Sequence, residues 1–235
     1  MSDTPTAKTP GYHRLLLGLF CGINAALLFL FLLHLPVGLD TLELAFRGWA
    51  QARPRIDIVA GLVVALAAIG YFGLARLGPA LKTRLVYSGG PYAHPGHEAF
   101  YSLKEPPFDR KPLLRRYPEI KDSAYSPEVQ YRTFRRLLDK HAAVDVIGGS
   151  VAGWHVLRDL YLAALLFLAG FLLSWPLNGE VNPALALSYM FVFGAQALFL
   201  MFSARGAGRR LVQNVLMVEL GLDKADAGKE KKKKF

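Results

Sequence analysis

The stretch Leu160-Tyr-Leu-Ala-Ala-Leu-Leu-Phe-Leu-Ala-Gly-Phe-Leu-Leu173 contains no charged side chain. With its flanks, from about Leu157 to Trp175, it is long enough to cross a bilayer core of about 30 Å, which takes roughly 20 mainly apolar residues. Three further runs have the same character, at about Leu15 to Leu35, Ile58 to Leu77 and Pro183 to Phe202. The sequence therefore predicts an all-α integral membrane protein with four transmembrane helices and a small helical or irregular cytoplasmic insert between spans two and three.

The composition agrees with this interpretation. The 235 residues are 53% hydrophobic and carry a net charge of +10, and the mean hydropathy is +0.27. High charge and high hydropathy are compatible when apolar residues are concentrated in spans and charges lie between them. This argues against a soluble globular enzyme, a disordered protein or a fibrous rod. The single cysteine, Cys21, lies in an apolar run and excludes a disulfide framework.

The distribution of Lys and Arg predicts the orientation of the spans. All but three of the 28 Lys and Arg residues fall on one side of the four spans, the exceptions being Arg47, Arg53 and Arg55. Because cytoplasmic segments are enriched in these residues, we expect both termini and the central insert to be cytoplasmic. The absence of an evident targeting segment and the Ala/Leu/Arg-rich composition favour a bacterial inner membrane.

The predicted organisation follows the chain from one segment to the next. It comprises a cytoplasmic N-terminus (1–14), a first transmembrane hairpin (15–78), a basic cytoplasmic insert (79–156), a second hairpin (157–202), a cytoplasmic helix (203–222) and a disordered Lys-rich tail (223–235). Within the first hairpin we expect an outer interfacial helix at about 40–52, capped by Asp40 or Thr41 and ending before Pro54.

The insert has two predicted halves. Residues Leu85–Pro118 are rich in turn formers and are expected to be mostly irregular. A helix then begins with Ser126 as N-cap and Pro127 in the first position, and it ends at Gly148-Gly149-Ser150. A second helix near Val151 continues into span three. After span four, residues Arg209–Leu220 are expected to extend the helix with one apolar face.

Basic and aromatic residues alternate within the insert. Arginine offers paired donors and a planar face to phosphates and bases, and tyrosine can stack on them. This pattern predicts an anion- or ligand-binding site, with a nucleotide, a nucleic acid or an anionic lipid headgroup as ligand. The other explanation is that the insert is basic for topological reasons alone. The candidate residues are Arg115, Arg116, Tyr131, Arg132, Arg135 and Arg136.

His94, His97 and Glu98 form a second, weaker candidate. Two imidazoles and a carboxylate within five residues could supply zinc ligands, although their spacing is not that of a helical zinc motif and no cysteine accompanies them. A polar turn explains the same residues. We therefore expect no metal and no cofactor.

Arg136-Leu-Leu-Asp-Lys-His141 resembles the Arg-x4-His motif of HEPN-type nucleases. The resemblance implies that Arg136 would stabilise phosphate charge and His141 would act as acid and base. It covers six residues, and Leu137 departs from the polar residue that the family has after its arginine. A solvated helix face is the alternative, and we expect the protein not to be an enzyme.

Asn24 and Gln196 are the polar residues furthest from the ends of the spans. Each could hydrogen-bond another helix or line a wet path. Because no Asp, Glu, Lys or Arg lies near a predicted midplane, an ion-coupled pump is disfavoured.

Two functions fit these observations. The first is an oligomeric membrane effector or channel-like protein whose basic insert senses an anionic ligand or partner, and its architecture looks like that of bacterial anti-phage membrane effectors. The second is a non-catalytic membrane scaffold or accessory subunit that anchors a cytoplasmic protein partner. Both place the chain in a bilayer with anionic lipids, and the first requires a homo-oligomer.

Overall fold

The computed structural model describes residues 11–37, 49–88, 92–101, 108–177 and 181–222, and in these ranges the chain forms helices joined by turns. The first ten residues, residues 38–48 and the Lys-rich tail 223–235 lie outside the described residues, so the predictions for them stay predictions. The helices are α1 (Gly11–Leu32), α2 (Trp49–Ala68), a π-helix (Ile69–Gly73), α3 (Leu74–Arg76), α4 (Pro79–Tyr87), a 3-10 helix (Pro95–Glu98), α5 (Lys111–Arg116), α6 (Glu119–Asp122), α7 (Pro127–Lys140), α8 (Asp145–Leu177) and α9 (Pro183–Glu219).

Four helical segments are long and apolar enough to cross a membrane. They are Tyr12–Leu32, Asp57–Arg76, Asp145–Leu177 and Pro183–Glu219. The predicted fold class is confirmed, including the helical region between spans two and three. α8 and α9 contain 33 and 37 residues. At 1.5 Å per residue these helices are about 50 and 55 Å long, well beyond the roughly 30 Å that a bilayer core requires.

The described residues divide into two compact units. We call the described residues of 11–78 and 156–203 the span unit, and those of 79–155 and 204–222 the basic unit. α8 and α9 each contribute residues to both units. Each unit has its own core.

Aromatic rings fill the centre of the span unit. Phe31 lies edge-on to Phe171 with ring centroids 4.7 Å apart, and Phe171 lies 5.5 Å from Phe193. The Tyr189 hydroxyl donates a 2.9 Å hydrogen bond to the carbonyl of Leu35. That carbonyl follows the end of α1, so the bond satisfies a backbone group that the helix itself leaves open. The rings therefore hold α1, α8 and α9 together at one level.

The π-helix interrupts the second candidate span without ending it. Gly70 is buried within it, and a Cβ added there would lie 3.2 Å from the Cys21 sulfur and 3.4 Å from Leu166 Cδ2. The missing side chain lets α1 and α8 approach the π-helix closely, as small residues commonly do between membrane helices. Cys21 is a buried free thiol that packs at this contact.

The basic unit is built on the apolar face of α7 and on the end of α9. Gly96, in the 3-10 helix, lies against the ring of Phe134, and Phe100 N–H donates a 3.0 Å hydrogen bond to the buried Gln130 side chain. Arg205 Nε donates a 2.9 Å bond to the carbonyl of Val86 near the end of α4. Buried residues of this core include Val86, Leu113, Ile120, Phe134, Leu137, Ile147, Leu211, Val215 and Leu216.

The predicted helix break at Gly148-Gly149-Ser150 is wrong. α7 ends at Lys140, and α8 begins at Asp145 and passes through both glycines. Asp145 stands in the first turn, where its charge complements the helix dipole. Ser150 Oγ donates to the Val146 carbonyl and accepts a 2.7 Å bond from Asn214 Nδ2, so contacts with α9 compensate for the low helix propensity of glycine.

Two other boundaries also differ from the predictions. α2 begins at Trp49 and continues through Pro54, so residues 49–52 do not form a helix that ends before this proline. Pro54 is the sixth residue of α2, beyond the first turn, so α2 lacks one backbone hydrogen bond there and continues past it. Residues Leu85–Pro118 include the end of α4, the 3-10 helix and α5, and are less irregular than expected.

The predicted start of α7 at Pro127 is confirmed. Ser126 occupies the N-cap position, but its side chain makes no capping bond; its hydroxyl donates to Glu128 instead, at 2.8 Å. Glu128 also accepts a hydrogen bond from the Tyr92 hydroxyl. The segment before the 3-10 helix is thereby fastened to the first turn of α7.

Gly221 ends α9 in the left-handed conformation, with φ of +71°. Leu222 N–H bonds to the Met217 carbonyl and Gly221 N–H to the Val218 carbonyl, which is the Schellman pattern. We expect Gly221→Ala to lower the free energy of unfolding by about 1 kcal/mol, because a Cβ disfavours this conformation. Gly221→Asn should lower the free energy of unfolding less, since asparagine tolerates the left-handed region. Thermal unfolding in detergent tests this, and equal melting temperatures for all three proteins would contradict it.

Candidate functional site

A buried carboxylate surrounded by donors is the most distinctive polar feature of the basic unit. The side chain of Glu219, the last residue of α9, is 1% exposed. Its Oε1 accepts bonds from Arg116 Nη1 at 2.7 Å and from the Tyr117 hydroxyl at 2.8 Å. Its Oε2 lies 2.7 Å from Lys140 Nζ and 2.6 Å from His141 Nε2. We call these five residues the Glu219 cluster.

Each member of the Glu219 cluster stands at the end of a helix. Arg116 is the last residue of α5 and Tyr117 follows it, whereas Lys140 ends α7 and His141 follows. Basic residues are favourable at helix C-termini, where the dipole is negative. Arg116 also donates a 2.9 Å bond to the backbone carbonyl of Glu219, one of the groups that the end of α9 leaves open. Three helix ends therefore converge on one carboxylate.

The cluster keeps Glu219 ionised. Glu219 lies beyond the apolar part of α9, in the portion that carries Arg205, Arg209 and Arg210 and belongs to the basic unit. Burial by itself would raise the pKa of its carboxyl, but the hydrogen bonds from the four donors outweigh burial and lower the pKa to about 2. Burial, together with the bond to Glu219, raises the pKa of Tyr117 to about 12, so this hydroxyl remains a donor at neutral pH.

The six residues predicted to bind an anion have different surroundings in the structure. Arg116 belongs to the Glu219 cluster, and Tyr131 packs against the ring of His97 with centroids 4.5 Å apart. Arg115 lies exposed on α5, Arg132 and Arg136 lie exposed on α7, and Arg135 is half-buried. Arg132 and Arg136 are four residues apart on one helix and therefore share a face. The prediction is not tested by these positions, but they leave three exposed arginines for a ligand.

His94 and His97 take part in an aromatic group. His94 Nδ1 accepts a 2.9 Å bond from Gly96 N–H, and its ring lies 5.2 Å from Trp154. Burial lowers the pKa of His97, and the hydrogen bond to the His94 carbonyl opposes that shift. Glu98 is exposed. Among the described residues, no group of three His, Cys, Asp or Glu side chains is placed to hold a metal ion.

The two residues of the nuclease-like motif, Arg136 and His141, have different surroundings. Arg136 is exposed, while His141 Nε2 lies against Glu219 in the cluster. A carboxylate that accepts from histidine can orient the ring. The Glu219 carboxylate also occupies His141 Nε2, the nitrogen that would have to exchange a proton with a bound phosphate ester. The nuclease-like interpretation stays a prediction.

The polar residues of the span unit occupy distinct positions. Asn24 is fully buried, and its amide donates a 2.9 Å bond to the Phe20 carbonyl one turn earlier in α1. Among the described residues, no hydrogen-bond partner reaches Asn24 Oδ1 or Gln196 Oε1. Asp159 is buried, with Arg158 Nε 3.2 Å from Oδ1 and His13 Nε2 3.5 Å from Oδ2. This trio joins α1 to α8.

Sequence reasoning missed Glu219. The position of Glu219 in the sequence could have indicated its role. An acidic side chain in the last turn of a predicted helix is unfavourable next to the negative end of the helix dipole, so it needs compensating partners. The partners themselves lie 103 and 79 positions away along the chain, at Arg116 and Lys140. No local pattern brings such residues together.

Comparison of the chain with protein-family models, with curated proteins and with solved structures gave no match.

Proposed function

We propose that this chain is an oligomeric, channel-like membrane effector whose basic unit senses an anionic ligand. The observation that carries the proposal is the Glu219 cluster, in which groups typical of an anion site hold a carboxylate at the end of the helix that forms the fourth candidate span. We place the protein in a bacterial inner membrane with both termini cytoplasmic, on the distribution of its Lys and Arg residues.

The donors of the cluster suit a phosphate as well as a carboxylate. Arginine and lysine bind either anion through charge-assisted hydrogen bonds. Arg116 and Lys140 together carry two positive charges against the single negative charge of Glu219. Their side chains are 57% and 55% exposed. A multivalent anion in the surrounding water can therefore reach both cations and compete with Glu219 for them.

Displacement of Glu219 provides the switch. A buried carboxylate that loses its cationic partners is strongly destabilised, so Glu219 and the last turn of α9 leave the cluster when an anion binds. α9 is one continuous helix from Pro183 to Glu219. The anion thus favours a state in which the end of the fourth span helix is released. The ratio of the anion's affinities for the released and the bound state determines how far the equilibrium shifts. The exposed Arg115, Arg132 and Arg136 attract the ligand.

Ion flux measured with purified protein in vesicles tests the proposal. We expect flux to be low until a multivalent anion is added, with inorganic phosphate, pyrophosphate, cyclic dinucleotides and short oligonucleotides as probes. The double variant Arg116→Gln/Lys140→Gln should be open without ligand and insensitive to it, because Glu219 has lost its main cationic partners. Arg84→Gln/Lys121→Gln removes two exposed charges of the same unit and should behave as the natural protein.

Two outcomes contradict the proposal. One is the absence of flux with every probe, together with a monomeric size in detergent. The other is an unchanged response in the Arg116→Gln/Lys140→Gln variant. A monomer without flux would support the scaffold function instead, for which the exposed aromatic side chains Tyr92 and Tyr101 of the basic unit are candidate contacts with a protein partner.

A further inference from the structure

An open groove of about 740 Å³ follows one side of α1 in the span unit. Arg14 lies at one end and Ala26 at the other, and Tyr71 from the π-helix contributes to one wall. We propose that this groove binds one acyl chain of an anionic phospholipid, with the lipid phosphate at Arg14. This inference concerns the span unit and is independent of the proposed anion switch.

Missing side chains create the groove. Gly18 and Gly22 lie one turn apart on α1, and a Cβ added at Gly22 would meet no atom within 4 Å. At Gly18 an added Cβ would lie 3.5 Å from the ring of Tyr71, which therefore borders the groove. The π-helix, a rare element that is frequent at functional sites, positions this ring. The result is an open groove in the helix surface with an aromatic ring on one side.

The length of the groove matches one leaflet. From Arg14 to Ala26 the helix rises by about 18 Å. Half of a bilayer core measures about 15 Å. A single acyl chain of that leaflet therefore spans the groove, whereas a helix from a second copy would cross both leaflets. Arg14 falls in the first turn of the candidate span Tyr12–Leu32, which is the depth of the headgroups.

The chemistry of the lining also selects an anionic lipid. Apart from Arg14 and Tyr71, the groove is lined by Leu15, Gly18, Leu19, Gly22, Ile23 and Ala26, so its surface offers contacts to hydrocarbon and no carboxylate to repel a phosphate. The leucines and Ile23 are more than half exposed. Arg14 is exposed as well, and a guanidinium binds phosphate through paired hydrogen bonds. The length of the apolar groove and the positive charge of Arg14 at its end together match a lipid better than a protein segment.

Native mass spectrometry tests this site. Protein extracted from vesicles with equal amounts of phosphatidylglycerol and phosphatidylcholine of the same chain length should retain the anionic lipid about fivefold more, the preference that one basic residue at an anionic surface provides. Gly22→Leu places a bulky side chain in the groove at a position where an added Cβ meets no atom within 4 Å, and this variant should lose the retained lipid of both types. Arg14→Gln should keep lipid but lose the preference for phosphatidylglycerol.

Matched variants separate the site from general effects. Gly61→Leu adds the same side chain at an equally open position outside the groove, and Arg76→Gln removes a charge at the end of another span helix. Both should retain lipid as the natural protein does, and thermal unfolding identifies any variant that fails to fold. Equal retention in Gly22→Leu and Gly61→Leu overturns the proposal. So does a dimer that Gly22→Leu dissociates, because the groove would then be an interface between copies.

Discussion

Glu219→Gln is expected to lower the melting temperature of the protein at neutral pH by about 3–6 °C, as a loss of about 1–2 kcal/mol does in a chain of this length. The folded protein holds the pKa of Glu219 at about 2, below its ordinary value of 4.5. A shift of this size alone corresponds to about 3 kcal/mol. Because Arg116 and Lys140 are more than half exposed, solvent screens part of that energy, and we expect the smaller value.

The sign of the pH dependence follows from the lowered pKa. A carboxyl whose pKa is depressed in the folded state contributes its stability above the unfolded pKa, and this contribution disappears as the pH falls through the folded pKa. The difference between the natural protein and Glu219→Gln should therefore be complete above about pH 4.5 and vanish near pH 2. Melting curves in detergent at a fixed scan rate, from pH 7 to pH 2.5, measure it.

Glu119→Gln is the matched control, since it removes an acidic charge from the same unit at a residue outside the cluster. It should change the melting temperature little. A Glu219→Gln deficit that persists unchanged at pH 2.5 would show that lost packing, and not lost charge, explains the effect. The variant also tests the switch, because free cations in the cluster should respond to lower anion concentrations.

Gly208→Ala should destabilise the basic unit by about 1–3 kcal/mol, the usual range for overpacking a core. A Cβ added at Gly208 would overlap the Tyr87 hydroxyl and lie 3.1 Å from Trp154 Nε1 and 3.2 Å from Pro95 Cγ. Three different elements surround the position, so no single side chain can move away to make room. The intrinsic gain of up to about 1 kcal/mol from alanine in a helix does not compensate.

Two companion variants make the Gly208 result specific. Gly206→Ala lies on the same helix, where an added Cβ meets no atom within 4 Å, and should leave stability unchanged or raise it. Tyr87→Phe removes the overlapping oxygen and should recover part of the loss when combined with Gly208→Ala. If Gly208→Ala and Gly206→Ala melt at the same temperature, the close packing of α9 against α4 is contradicted.

The spans were predictable because the bilayer imposes a length and a polarity that any apolar run must meet. Pro127 marked the start of α7 for a similarly local reason, the fixed φ of proline. The helix break predicted at Gly148 and Gly149 is wrong because it rested on the low helix propensity of glycine alone. In the structure, buried contacts and the hydrogen bonds of Ser150 maintain the helix there. Tertiary packing commonly overrides propensity in this way.

The candidate site was only partly predictable. Composition drew attention to the arginines of the insert, and Arg116 is indeed in the cluster with Glu219. That Arg116 binds a carboxylate of the same chain, and that Tyr131 stacks on His97, depends on which helices meet in the fold. Periodicity reports which face of a helix is apolar but not which partner that face meets.

The π-helix at Ile69–Gly73 has a consequence for the ancestry of the chain. A π-turn holds one residue more than the α-turn it replaces, so it is the structural form of a single inserted amino acid. Homologous chains that kept an uninterrupted second span would then show a one-residue alignment gap in the middle of a transmembrane helix, where gaps are normally penalised.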